Sequence, residues 1–284
     1  MRAFVVDAFT SKVFGGNQAG VVLLDDAFPS EELMLALAAE LKHSETAYVL
    51  LLGENKVYIR YFTPAGEVDL CGHATIASFS LLRELDMIPD GVFTLLTAAG
   101  EQSVRVEGGK VYLTISPTKV LRELTEEQTM ELLAAYNLSL ADEWVGMPAA
   151  LVSSGLTDIM LPVRDHEALM AAVQDAPAVT ELSRRYDAVG VHMFCPGDET
   201  VSAYCSNFAP LWDIPEECAT GTANGGLSEY LYRRGIFRAG EENLIVQGEH
   251  MARRSEIRTR VSDGGGSVEV GGTAIVSMEL LLKL

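Results

Sequence analysis

Phe62-Thr63-Pro64, an acid-bearing turn, then Asp69-Leu70-Cys71-Gly72-His73-Ala74-Thr75 is answered later in the chain by Phe208-Ala209-Pro210, another acidic turn, and Glu216-Glu217-Cys218-Ala219-Thr220-Gly221-Thr222-Ala223. The flanks repeat in the same order. Ser30-Glu31-Glu32 opens an amphipathic run through Leu33, Ala36, Leu37 and Leu41, which predicts a capped helix. Strand patterns over 46–52 and 56–62 follow, and after the Cys71 loop a second helix runs through Ile76, Phe79 and Leu82 towards Leu85. The later half gives a helix near 179–185, strands over 188–194 and 200–208, and after the Cys218 loop a helix carrying Leu227, Tyr230 and Leu231 that stops at Gly235. Each half closes on strands around a glycine turn, at Gly108-Gly109 and at Asp263-Gly264-Gly265-Gly266.

With the two cysteines 147 residues apart, an ordered repeat of this kind predicts two homologous lobes of mixed α/β (α+β) class. The first is expected over 1–117 and the second over 118–272, with the join between Pro117 and Glu127. Thr125-Glu126-Glu127-Gln128 is a capping-box pattern that starts a helix. The last strand, 273–284, is free to return to the first lobe. Lobes of one design are expected to meet face to face, with Cys71 and Cys218 on opposite walls of a shared cleft.

Both loops turn on small residues into a helix, and the amides of a helix's first turn bind anions. A carboxylate is therefore the expected guest. A helix N-terminus also lowers a thiol pKa, so thiols on opposite faces of a carbon would remove a proton and return one, inverting a stereocentre. Cys195 and Cys205 read instead as core residues. Glu45 stands where a helix gives way to the apolar strand Thr46-Ala47-Tyr48-Val49. Burial there would suit a group that both takes and gives a proton. Gly15-Gly16-Asn17-Gln18-Ala19-Gly20 has neither nucleotide-loop spacing and reads as a turn bordering the cleft.

The chain has 284 residues, 21 Lys and Arg against 40 Asp and Glu, and a formal charge of −19, which argues against nucleic acid or an anionic membrane as partner. The N-terminal sequence lacks a signal-peptide pattern, no apolar run reaches the ~20 residues of a membrane span, and four cysteines make a poor disulfide framework. A cytoplasmic location is the expectation. Cys71 and His73 are too close in sequence for a zinc pair and no His-x-x-x-His occurs, so no metal is expected.

Several stretches together resemble the PhzF family of phenazine-biosynthesis-type isomerases, in the diaminopimelate epimerase-like superfamily. They are Asp7-Ala8-Phe9-Thr10, Phe14-Gly15-Gly16-Asn17-Gln18-Ala19-Gly20-Val21, Ser44-Glu45-Thr46-Ala47, Arg60-Tyr61-Phe62-Thr63-Pro64, Glu67 through Thr75, and Gln247-Gly248-Glu249. The resemblance implies two lobes, each a barrel-like sheet around a central helix, a homodimer, and cofactor-free proton transfer on a small cyclic carboxylic acid. It implies Glu45 as proton carrier, His73 as an orienting residue, and Gly72-His73 and Gly221-Thr222 as carboxylate-binding amides. The second-half motif of the family usually reads Glu-Asp-Pro-x-Thr-Gly-Ser-Ala. Here Glu217, Cys218 and Thr222 stand in place of Asp, Pro and Ser.

Two enzymatic readings follow. In one, Glu45 shuttles a proton while His73 and Glu217 orient or polarise the substrate. In the other, Cys71 and Cys218 form the acid/base pair of an amino- or imino-acid racemase or epimerase. A non-catalytic small-acid-binding protein is the third.

Overall fold

The computed structural model describes residues 1–53, 55–115 and 117–283. The chain divides into one unit of residues 1–114 with 271–284, and a second of residues 115–270. Sequence patterning expects the boundaries at 117 and 272. Leu284 of the expected last strand lies outside the described residues.

In the first unit β1 (Arg2–Ala8) and β2 (Asn17–Leu23) are antiparallel, and α1 (Glu31–Leu41) leads to β3 (Thr46–Gly53), parallel to β2. Next come β4 (Lys56–Thr63), antiparallel to β3, and the short β5 (Gly66–Val68), which folds back on β4. After α2 (Gly72–Glu84) the sheet resumes with β6 (Gly91–Thr97), parallel to β4, then β7 (Gly100–Glu107) and β8 (Lys110–Ile115). Gly108 and Gly109 take φ of 57° and 76°, the left-handed pair that a tight hairpin between β7 and β8 requires.

The second unit opens with β9 (Lys119–Glu123), α3 (Glu126–Ala134), β10 (Ala150–Ser153) and β11 (Thr157–Pro162). It continues with α4 (His166–Ala171), α5 (Ala176–Arg185), β12 (Val191–Pro196), β13 (Ala203–Ala209), β14 (Ile214–Glu217), α6 (Gly221–Arg233), β15 (Asn243–Gln247), β16 (Ser255–Val261) and β17 (Val268–Gly272). The pairings repeat the first unit's. β10 and β11 are antiparallel, β11 and β12 parallel, β12 and β13 antiparallel, β13 and β15 parallel, β15 and β16 antiparallel, and β14 folds back on β13. The last strand, β18 (Ala274–Leu280), pairs antiparallel with β1 as β9 pairs with β10. Each lobe is thus one pseudo-symmetric copy of the same design.

A central helix is recognised by burial all round. In α2 the whole stretch Ala74–Phe79 is buried, with Leu81 and Leu82, and in α6 the stretch Ala223–Leu231 is buried. Each lobe wraps its sheet about that helix. The outer helices are one-faced and carry side-chain caps: Ser30 accepts from the Leu33 amide, and Thr125 and Gln128 close the capping box expected at α3. Gly235, at φ 72°, ends the last turn of α6 as its spacing predicts.

Candidate active site

Of the six α-helices among the described residues, α1, α3, α4 and α5 begin under the side-chain oxygens of Ser30, Thr125, Asp165 and Asp175. The two central helices do not. Cys71 is the N-cap of α2 and Thr220 that of α6, both in extended backbone, and neither side chain caps its helix. Their first-turn N–H groups therefore keep the capacity to bind an anion. Gly72 opens α2, and a Cβ built there would meet nothing within 4 Å. Gly221, opening α6, would meet only Val270 at 3.7 Å. Neither glycine takes a positive φ, so neither conformation nor packing demands them; what they provide is open approach to the amides.

These helix starts correct the sequence register. Thr75 Oγ1 donates back to the Cys71 carbonyl at 2.7 Å, and Asn224 Nδ2 donates back to the Thr220 carbonyl at 2.9 Å. The position equivalent to Cys71 is therefore Thr220, and Cys218 lies two residues before the cap. The expectation that Cys71 and Cys218 occupy matching helix tips fails because the second loop holds two additional residues between its cysteine and its helix. Cys218 is buried beside Glu217, with Sγ 3.9 Å from Oε1. Burial first, and the Glu217 carboxylate second, push its thiol up to about 12.

Around the tip of α2 the first lobe gathers the strongest set of reactive groups. Glu45, one residue before β3, places Oε2 3.4 Å from His73 Nε2, and the two side chains are 21% and 11% exposed. Ser44 Oγ also lies 3.4 Å from Nε2, while Cys71 Sγ faces Nδ1 at 3.4 Å. Desolvation lowers the His73 pKa, the Glu45 carboxylate opposes that shift, and His43 adds to it. Burial thus favours the neutral imidazole, whose nitrogens face the Cys71 thiol on one side and Ser44 and Glu45 on the other. Beneath this set, Tyr61 Oη hydrogen-bonds Thr75 Oγ1, which in turn holds the Cys71 carbonyl. Asn17 is buried at the start of β2. The adjacent Gly16 is fixed by packing, since at φ 57° its Cβ would sit 2.1 Å from the Ala8 carbonyl oxygen.

In the second lobe Glu217 ends β14 and Thr222 is the second residue of α6, both half-buried. Gln247, fully buried at the end of β15, binds this loop through both ends of its amide. Its Oε1 accepts from the Thr220 amide at 3.2 Å and Asn224 Nδ2 at 2.7 Å; its Nε2 donates to the Glu217 carbonyl at 2.7 Å and Thr220 Oγ1 at 3.1 Å. Asn224 and His192 are positions that sequence reading missed. His192 is fully buried, its Nδ1 is 3.1 Å from Asn207 Nδ2, and burial drops its pKa to about 4. A lone histidine in an apolar strand gives no signal of this. His250 was likewise unread; it lies 3.2 Å from Glu216 Oε1, and that hydrogen bond raises its pKa. Cys195 and Cys205 are core residues, as their strand positions predict.

Comparison with known proteins gives a consistent answer. Residues 6–280 match the profile of the phenazine biosynthesis-like protein family, PhzC-PhzF. An uncharacterized isomerase of Deinococcus radiodurans is 36% identical over 96% of this chain and 92% of its own. The uncharacterized isomerase YddE of Escherichia coli K12 is 30% identical over 97% of this chain and 96% of its own. Among solved structures, a PhzF-family phenazine biosynthesis protein of Bacillus anthracis superposes with a TM-score of 0.87 at 24% identity, covering 100% of this chain and 99% of that one.

Proposed function

Because this chain belongs to the phenazine biosynthesis-like (PhzF) family and is an isomerase, we propose that it moves a proton between carbons of a small carboxylic acid, without a cofactor, and that Glu45 is the carrier. The observation that supports this most is the 3.4 Å approach of Glu45 Oε2 to His73 Nε2 beside the uncapped start of α2. The substrate carboxylate is held by the amides of Gly72 and His73. Withdrawal of electrons into that carboxylate acidifies a neighbouring carbon, Glu45 takes its proton, and the same carboxyl group returns it to a second carbon. Neutral His73 orients the carboxylate of Glu45 and the substrate. Gly221 and Thr222 are the corresponding amides of the second lobe, Glu217 polarises, and Asn17 is a further binding residue.

The reading with Cys71 and Cys218 as a thiol pair is set aside. Cys218 is not at a helix tip, and a thiol pushed up to about 12 is a poor base at pH 7. Homodimeric assembly in the cytoplasm, with neither nucleic acid nor membrane as a partner, belongs to the same proposal. The charge of −19 supports it, and no described helix is long and apolar enough to cross a membrane.

The test is a panel of small carboxylic and amino acids incubated with the protein in D2O and followed by proton NMR. At least one acid is expected to isomerise and gain deuterium. Glu45→Gln should lower that exchange by about 100-fold or more, while Cys218→Ser retains most of it. The opposite pattern, exchange lost with Cys218→Ser and kept with Glu45→Gln, would overturn the assignment.

A further inference from the structure

A cluster of three metal-ligating side chain types, which sequence spacing does not reveal, comes together once the chain is folded. Cys71 and His73 are separated by one residue, too little for the usual ligand pair, but the turn before β3 brings a third donor from 26 residues upstream of Cys71, Glu45. One ligand atom from each of Glu45, Cys71 and His73 lies within 4.8 Å of the other two. Bond lengths of about 2.3 Å to sulfur and about 2.0–2.1 Å to nitrogen and oxygen put the donors of a tetrahedral zinc ion about 3.3–3.6 Å apart. His73 Nε2 is already 3.4 Å from Glu45 Oε2 and 3.9 Å from Cys71 Sγ. The sulfur stands nearer Nδ1, at 3.4 Å, so a turn of the imidazole or a swing of the Cys71 side chain is required to bring all three donors onto one ion.

We propose that Glu45, Cys71 and His73 form a binding site for a thiophilic divalent cation, Zn2+ foremost. Thiolate and carboxylate together balance the charge of the ion, and the imidazole completes a sulfur–nitrogen–oxygen set of the kind that selects zinc over magnesium or calcium. Binding replaces the S–H bond of Cys71 by a sulfur–metal bond, and the thiol proton leaves to solvent. Three protein donors leave a fourth position for water or for the carboxylate of a small acid. Ser44 Oγ, 3.4 Å from His73 Nε2, is the adjacent polar group. The consequence rests on the reading of Glu45 as proton carrier: an ion that occupies its carboxylate and the His73 ring inhibits the proton transfer.

Cobalt tests the site without requiring a substrate. Co2+ titrated into the full-length chain, reduced with a non-thiol reductant, should saturate at one ion per chain. A thiolate-to-cobalt charge-transfer band should appear in the near ultraviolet and be abolished by added Zn2+. Cys71→Ser should remove the band, and Glu45→Gln should weaken Co2+ binding by at least about tenfold; Cys218→Ser should keep the band unchanged. Near-ultraviolet circular dichroism checks that each variant is folded, and Glu45→Gln supplies the answer if Cys71→Ser is not. Absence of the band in the parent chain, or its survival in folded Cys71→Ser, would overturn the proposal. The two readings fail separately: deuterium exchange on an acid in metal-free buffer with no cobalt band removes the metal site alone, and a Cys71-dependent band with no exchange on any acid removes the proton-carrier reading alone.

Discussion

Asp158 is the residue whose ionisation costs the fold most visibly. It lies on β11 opposite Val152, 4% exposed, and burial raises its pKa from 3.8 to about 7. Between those values the folded chain holds a proton that the unfolded chain has lost, so stability falls as pH rises through this window. At ~1.4 kcal/mol for each unit of pKa, ionising it costs about 4 kcal/mol above pH 7. Asp158→Asn is therefore expected to match the parent near pH 4 and to exceed it by a few kcal/mol at pH 8, as read by urea unfolding at both values. Equal stabilities at pH 8 would show that the carboxylate is solvated or paired on ionisation. Patterning does not mark this position: one acid beside Thr157, Ile159 and Met160 carries no signal of burial.

Among the elements, the central helices illustrate what patterning reveals and what it conceals. The capped starts at Ser30 and Thr125 and the glycine stop at Gly235 were legible, because each rests on chemistry within a few residues. The register of α6 was not. A cysteine repeated in both loops is the louder feature, whereas the true equivalence of Cys71 with Thr220 depends on the back-bonds from Thr75 and Asn224, which no spacing rule contains. The loop that leads into α6 is held by the Gln247 amide, which binds Thr220, Asn224 and the Glu217 carbonyl but none of that helix's first-turn N–H groups. Gln247→Leu leaves Asn224 Nδ2 and the Glu217 carbonyl without these bonds and is expected to cost about 2–3 kcal/mol. Chemical denaturation measures that loss, and a cost under about 0.5 kcal/mol would mean the loop is held by other contacts. The short strands β5, β10 and β14 were also unread, since three or four residues carry too little alternation to register.

At the scale of the whole molecule, duplication was the most legible property, and the pairing order of the strands repeats from lobe to lobe. The return of the chain's end to the first lobe follows from that symmetry: β18 supplies to β1 what β9 supplies to β10. Deleting 273–284 is expected to raise amide hydrogen exchange in β1 and α2 while β12, β13 and α6 keep their protection; uniform loss across both lobes would contradict two separately packed units. The functional claim at this scale is that one carboxyl group, and no pair of thiols, carries the proton. Its most direct measurement is a single turnover in H2O of the first acid found to isomerise, prepared with deuterium at the carbon that loses its proton. The account predicts that part of the label reappears at the second carbon, that Cys218→Ser leaves the retained fraction unchanged, and that Glu45→Gln stops the turnover. Complete replacement of the label by solvent hydrogen, with turnover undiminished in Glu45→Gln, would contradict it.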